Sequence, residues 1–534
     1  MGLRRYDQGP QRADPPQPQH DGRSWSSSFH LGELTMPTYQ DPSRRSVLKV
    51  GSALAVGGVL TPLQARAADD WADLDATGMA EQVRAGAVSP LELLDAAIAR
   101  AEAVNGRLNL FSEKLYDQAR ARAAGMETRG AFAGVPYLLK DETELAGSRL
   151  HLGSKIDAVM PLSTRTDPTI ARMEAAGFNV FGRTTMSEFG ALPTTETAAY
   201  GVTRNPWSLD HTPGGSSGGA AAAVAAGIVP MADAWDGAGS IRIPASNCGL
   251  VGLKPTRGRT TGSDKWFPEL SLASHFCVSR SVRDSANLLA LVESEMEGLP
   301  AVGRVQGPSR RRLRIGVTSS SLSGRSPSPD VAAAMAGAVR LLEGLGHQVR
   351  EAVWPLDTRA FQADFTQIYL AYGDRMADRL AAHVNMSRKV MIADVEPASR
   401  TVATMGRMIS EAALRKVLSR VSTHASAYYS QFAGLDVVMS PVLLTPPVGI
   451  GVINGSVPLG DLAQRLTGYA DYTMLQNAVG GPAISLPLHQ SSTGLPIGLQ
   501  FAADRGGERT LLELAFELEQ ARPWAKRRPP VWPA

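Results

Sequence analysis

Cysteine is almost missing from this chain. Cys248 and Cys277 are the two in 534 residues. That excludes a disulfide framework, and their separation has no metal-ligand spacing. They are expected as two separate buried thiols. Charge of one sign is also lacking: 54 lysines and arginines stand against 51 acids, a formal balance of +3. So small an excess asks for no nucleic-acid partner. No apolar run is long enough for stable membrane insertion, and no internal repeat recurs. What remains is ordinary globular composition, 43% hydrophobic and 20% charged,.

The chain divides early. Residues 1–42 are rich in proline, glutamine, serine and charge. Without an apolar period they are expected as a disordered extension, and Met36 offers an alternative start. Ser43-Arg44-Arg45-Ser46-Val47-Leu48-Lys49 is a twin-arginine pattern, followed by a short glycine-rich apolar run and Ala65-Arg66-Ala67. A basic head, an apolar middle and an Ala-x-Ala site define a signal peptide over residues 43–67. Cleavage is expected after Ala67. The twin-arginine export machinery becomes an expected partner, and the periplasm or the exterior the expected location.

From residue 68 onward the chain alternates helix and strand signals. Ser89-Pro90-Leu91-Glu92 is a capping box with proline at the first helical position,. Helices are expected at 113–124, 169–176, 281–292, 330–345 and 510–521, and through most of 361–427. Strands are expected at 134–140, 178–181, 250–255, 313–317, 349–353, 436–441, 482–487 and 497–501. Alternation of this kind points to an α/β class.

One stretch carries the chemistry. Pro213-Gly214-Gly215-Ser216-Ser217-Gly218-Gly219 is followed by Asp236-Gly237-Ala238-Gly239-Ser240-Ile241-Arg242. Two glycine-rich turns gather hydroxyls and backbone N–H groups, as an acyl-transfer site requires. A flexible linker is disfavoured, because Ala220 to Gly227 continues directly as a helix pattern. A phosphate loop fails, because Ala220 stands where its lysine belongs. The nucleophile elbow of α/β-hydrolases fails too: no strand precedes Gly214, and His275, His347, His383, His424 and His489 lie in no catalytic context. Lysine can replace histidine where burial makes a neutral amine available. Lys140 ends an apolar strand and suits that role. It also suits a surface lysine paired with Asp141, Glu142 or Glu144, and from the residues alone both readings stay open.

From about Trp71 to the end, the chain resembles the amidase signature hydrolases. The resemblance rests on Gly134-Val135-Pro136 leading to Lys140, on Thr203-Arg204-Asn205-Pro206-Trp207, and on the two serine turns. Gly252-Leu253-Lys254-Pro255-Thr256 and Gly481-Pro482-Ala483 add to it. It implies one large mixed β-sheet flanked by helices on both faces, with 68–534 as the amidase domain. It implies a Ser-Ser-Lys triad: Ser240 as nucleophile, Ser216 as a relay on a cis peptide, Lys140 as base. Backbone N–H groups of Gly237, Ala238, Gly239 and Ser240 would form the oxyanion hole. Ser217 would support the loop, and an Asp236–Arg242 ion pair the turn. No metal and no organic cofactor is implied.

Two departures stand out. Trp235 replaces a small or polar residue, and Ala238 a commoner glycine. The phrasing around Lys140 and Ser240 is most similar to the 6-aminohexanoate-cyclic-dimer hydrolase branch. A small-molecule amide substrate follows, with an aryl acylamide or a carbamate (urethane) as alternatives. A tRNA-amidotransferase subunit is disfavoured by the export signal, and an exported solute-binding protein by the retained triad. Pocket walls are expected from 266–275, 361–408 and 436–454. A homodimer is left open.

Overall fold

The computed structural model describes residues 71–260 and 271–533. The expected extension, the twin-arginine signal and residues 266–270 of the expected pocket wall lie outside the described residues. Among those described, no helix is long and apolar enough to cross a membrane.

The capping box forms as read. Ser89 Oγ accepts the Glu92 N–H at 3.2 Å, and Glu92 Oε2 accepts the Ser89 N–H at 2.8 Å. The helix Pro90–Leu108 follows and buries Leu93, Leu94, Ala97, Ile98 and Ala101. The next expected helix starts late. Phe111–Lys114 is strand β1, and the helix is Tyr116–Ala123. β1 pairs antiparallel with β3 (Asn179–Thr184), so a sheet partner distant in sequence overrides local preference there,.

The remaining strands are β2 (Pro136–Lys140), β3 (Asn179–Thr184), β4 (Glu196–Thr197), β5 (Gly201–Val202), β6 (Met231–Asp236), β7 (Val251–Lys254) and β8 (Ser274–Ser279). They continue with β9 (Arg314–Val317), β10 (Gln348–Glu351), β11 (Val437–Pro441), β12 (Ala483–Gln490) and β13 (Pro496–Ala503). Eight of them form a sheet in the order β10-β9-β11-β13-β12-β7-β8-β6. Its β10-β9-β11 edge is parallel and the rest antiparallel. The large mixed sheet is therefore present. β7, β8 and β13 are buried at every residue, which requires cover on both faces,.

Lys140 ends β2, which lies in a separate three-stranded sheet, β1-β3-β2. A side chain joins the two sheets: the Lys140 N–H donates to Asp233 Oδ2 of β6 at 3.0 Å. Thr358–His383, Arg388–Met391, Pro397–Gly406 and Glu411–Ser430 supply the helical region expected after residue 361. Cys248 and Cys277 are free, buried thiols.

Candidate active site

The Ser240 turn links β6 to the helix Arg242–Cys248. Its frame is an ion pair with no solvent exposure on either side chain. Arg242 Nε donates to Asp236 Oδ2 at 2.8 Å and Nη2 to Oδ1 at 2.9 Å. Such planar two-point pairing fixes direction as well as distance. Asn477 Nδ2 donates to Asp236 O at 2.6 Å, and Gln500 Oε1 takes the Arg242 Nη1 hydrogen at 2.6 Å. Gly239 has φ +135°, and a Cβ there would stand 2.3 Å from Thr473 Oγ1. Only glycine fits that position.

Burial by itself would raise the Asp236 carboxyl, but the Arg242 charge and hydrogen bonds outweigh it and hold it at about 2, below the ordinary 3.8. Above about pH 3.8 the carboxylate is ionised in both folded and unfolded chains, and the pair's stabilisation is complete. As pH falls from there through about 2 the stabilisation is lost, a difference of about 2 kcal/mol. Denaturant midpoints measured from pH 5 down to pH 2 should fall accordingly; a flat profile would contradict the pairing.

The same turn corrects one expectation. The Gly239 N–H is already given to Asp236 Oδ1 at 2.6 Å. It points back into the frame, so the expected oxyanion donors narrow to the N–H groups of Gly237, Ala238 and Ser240. Ala238 is not among the described residues with positive φ, so alanine is tolerated there. Its carbonyl accepts from Thr473 Oγ1 at 2.6 Å.

Ser216 sits in the loop that opens the helix Gly218–Ala225. The Gly215–Ser216 peptide is cis. A Cβ on Gly215 would stand 2.5 Å from Thr194 O, so the loop is pressed against the 192–194 backbone. Ser217 Oγ donates to Trp235 O at 3.3 Å and ties the loop to β6.

Lys140 is 1% exposed, and its Nζ lies 2.7 Å from Ser216 Oγ. The same Nζ lies 2.7 Å from Glu142 Oε1 and 3.5 Å from Trp235 O. Of the two readings left open by the sequence, burial rules out the surface lysine, but its pairing with an acid is present: the lysine is buried against the serine loop and also paired with Glu142. The strand ends at Lys140, and a turn closed by the Thr143 N–H on Lys140 O at 3.0 Å carries residues 141 and 142. Asp141 faces away from the amine: it accepts from Ser112 Oγ at 2.7 Å and from the Gly153 N–H at 2.9 Å.

Trp235 gains a role that the sequence did not disclose. Its indole stacks on His275, ring centroids 4.2 Å apart and planes at 7°. Its Nε1 donates to Thr143 Oγ1 at 2.8 Å. Beneath it, His275 Nε2 meets Asp233 Oδ1 at 2.5 Å, while Nδ1 stands 3.5 Å from Asp167 Oδ1. Burial disfavours the charged ring, but the two carboxylates overcome that and raise His275 to about 10. A large apolar plate over a buried imidazolium makes one wall of the site.

These residues face one cavity of about 670 Å³. Lys140, Glu142, Ser216, Trp235, Gly237, Ala238 and Ser240 line it together. Its far walls are largely apolar and include Phe365, Leu370, Met376 and Val402, from the helices expected there. Leu272 and Ala273 also contribute. The expected 436–454 wall is corrected. β11 is fully buried within the sheet, and the loop after it binds elsewhere: Thr212 N–H donates to Val448 O, and Ile450 N–H to Asp210 O. Leu459, Leu462, Leu466 and Met474 take its place. None of the five downstream histidines lines the cavity. Lys254 is buried, and burial first and Arg242 second lower it to about 7. It too lies off the cavity wall; its Nζ donates to Pro255 O at 2.8 Å.

A large α/β frame, paired serine turns and a buried lysine at an apolar cavity define a hydrolase of amide bonds, and the comparisons agree. The Amidase family model matches residues 92–512. The putative amidase AmiC of Mycobacterium leprae is 39% identical over 464 residues, covering 86% of this chain and 97% of that protein. The 6-aminohexanoate-cyclic-dimer hydrolase of Paenarthrobacter ureafaciens is 38% identical over 482 residues, covering 85% and 96%. A solved structure of 6-aminohexanoate cyclic dimer hydrolase complexed with substrate superposes with a TM-score of 0.79 at 35% identity, over 86% of this chain and 99% of that one. The chain belongs to the amidase signature family.

Proposed function

We propose that this protein is a serine amidohydrolase that cleaves a non-peptide carboxamide through a Ser240–Ser216–Lys140 relay. The Lys140–Ser216 contact of 2.7 Å beside the Ser240 turn carries the reading. Ser240 Oγ attacks the carbonyl carbon while its proton passes to Ser216, and the Ser216 proton passes to the neutral Lys140 amine. The tetrahedral oxygen meets the backbone N–H groups of the Ser240 turn. Collapse expels the amine, which takes back a proton through the same relay. Water then hydrolyses the acyl-serine.

The cavity's size and apolar walls suit a compact neutral amide. A cyclic 6-aminohexanoate dimer is the leading substrate class, by likeness to the hydrolase relatives. A hydrolysis panel of cyclic and linear amides, aryl amides and carbamates tests this. Highest kcat/KM on the cyclic amide supports it; preference for an aryl amide or a carbamate moves the substrate assignment to that class. Labelling of Ser240 by a fluorophosphonate separates an enzyme from a mere binder. Export through the twin-arginine signal belongs to the same reading, and a mature N-terminus far from Ala68 would refute it.

A further inference from the structure

We infer that Glu142 is a positioning residue for Lys140, aiming its lone pair at Ser216 and holding the ammonium that forms during proton relay. The inference rests on the relay reading above.

The argument is a count of donors and acceptors around one nitrogen. Lys140 Nζ has three oxygen neighbours: Ser216 Oγ at 2.7 Å, Glu142 Oε1 at 2.7 Å and Trp235 O at 3.5 Å. A carboxylate and a carbonyl only accept, whereas a hydroxyl can give or take. A neutral amine has two N–H groups and one lone pair. Its two hydrogens go to Glu142 and Trp235, which leaves the lone pair facing the Ser216 O–H. An ammonium has three N–H groups, and the third goes to Ser216 Oγ. Both protonation states are satisfied with every heavy atom in place. The proton can therefore cross between Ser216 and Lys140 without reorganisation of the site.

Glu142 is the neighbour that carries charge. When the proton arrives on Nζ, a carboxylate in contact stabilises the new cation. An aspartate beside a catalytic histidine serves the same two ends, orientation and charge.

Other charged groups near Lys140 are engaged elsewhere. On its own segment, Asp141 binds Ser112 and Gly153, and Glu144 binds Arg165. From β3, Arg183 donates to Thr143 O and lies 3.3 Å from Glu113. From β6, Asp233 is paired with His275 of β8, and Asp236 with Arg242. From the loop before Ser216, Glu188 accepts from Ser154 Oγ and from the Glu396 N–H. Glu396 in turn accepts the Ala198 N–H. Among the described charged side chains, Glu142 is the one with an oxygen at bonding distance from Nζ, and it stands 21% exposed on the cavity wall.

The test is Glu142→Gln, which keeps an oxygen acceptor and removes the charge. The acid limb of its kcat/KM profile should move to lower pH by about one unit. On the alkaline plateau kcat should fall by roughly tenfold or more with KM little changed, as for an interaction made only when charge develops. Glu142→Asp keeps the charge and should hold the limb within about 0.3 unit of wild type. If the glutamine variant folds poorly, the pH dependence of fluorophosphonate labelling of Ser240 in Glu142→Ala, which also removes the charge, gives the same readout, with the limb expected to move the same way. A limb unmoved in Glu142→Gln, or moved equally far in Glu142→Asp, overturns the inference. An active Lys140→Ala overturns the relay itself; an inactive Lys140→Ala beside an unshifted Glu142→Gln overturns the role of Glu142 alone.

Discussion

Ser240→Ala should abolish turnover, and Lys140→Ala and Ser216→Ala should each lower kcat by roughly three orders of magnitude or more. The proposed relay makes the three losses share one cause. Without Ser240 there is no acyl-enzyme. Without Ser216 the nucleophile has no route to the amine. Without Lys140 the relay loses the amine that accepts its proton, and none of the downstream histidines reaches the cavity to replace it. Double and triple variants should therefore be little worse than the single ones. Single-turnover rates and thermal melts on the same preparations check this. Lys140→Ala close to wild type, or losses that add, would remove the lysine-base mechanism.

The second large effect is structural. Arg242→Ala should destabilise the protein by about 3–5 kcal/mol, because it leaves the Asp236 carboxylate buried without its counter-charge. Asp236 and Arg242 are both 0% exposed, so water cannot replace the lost partner. Activity should fall as well, because Asp236 holds the Gly239 N–H and thereby shapes the turn that presents Ser240. Chemical denaturation measures the first loss, and the fluorophosphonate labelling rate the second. An Arg242→Ala protein of wild-type stability would show that the pair is not the frame of the site. Arg242→Lys should recover part of the stability only, since an ammonium cannot make the two-point contact.

Much of this site was legible in the sequence because its determinants are local. Glycines at tight turns, adjacent serines and a lysine closing an apolar run keep their meaning in one dimension. The cap at Ser89, the strand ending at Lys140 and the helix opening after Ser217 follow from nearest neighbours. Other features had no such signal. β8 was missed as a strand because Ser274–Ser279 mixes polar and apolar residues while being buried throughout. Its His275 looked like one isolated histidine among several, and its pairing with Asp233 and stacking on Trp235 join positions distant in the chain. Asn477, Gln476 and Gln500 converge on Arg242 from more than 200 residues away. Which of Asp141, Glu142 and Glu144 meets the Lys140 amine is likewise set by the turn that follows β2, closed by the Thr143 N–H on Lys140 O, and not by strand period.

The sequence by itself determined the chemical vocabulary of this protein: an α/β chain, two serine turns and a lysine closing an apolar strand before them, because backbone preference and apolar period act over a few residues. Only the tertiary structure decided which groups meet. It turned Gly239 inward to Asp236, moved a cavity wall from 436–454 to 459–474, and set a carboxylate against the Lys140 amine. Those outcomes depend on distances between segments far apart in the chain, and close packing of the fold fixes such distances while local preference cannot.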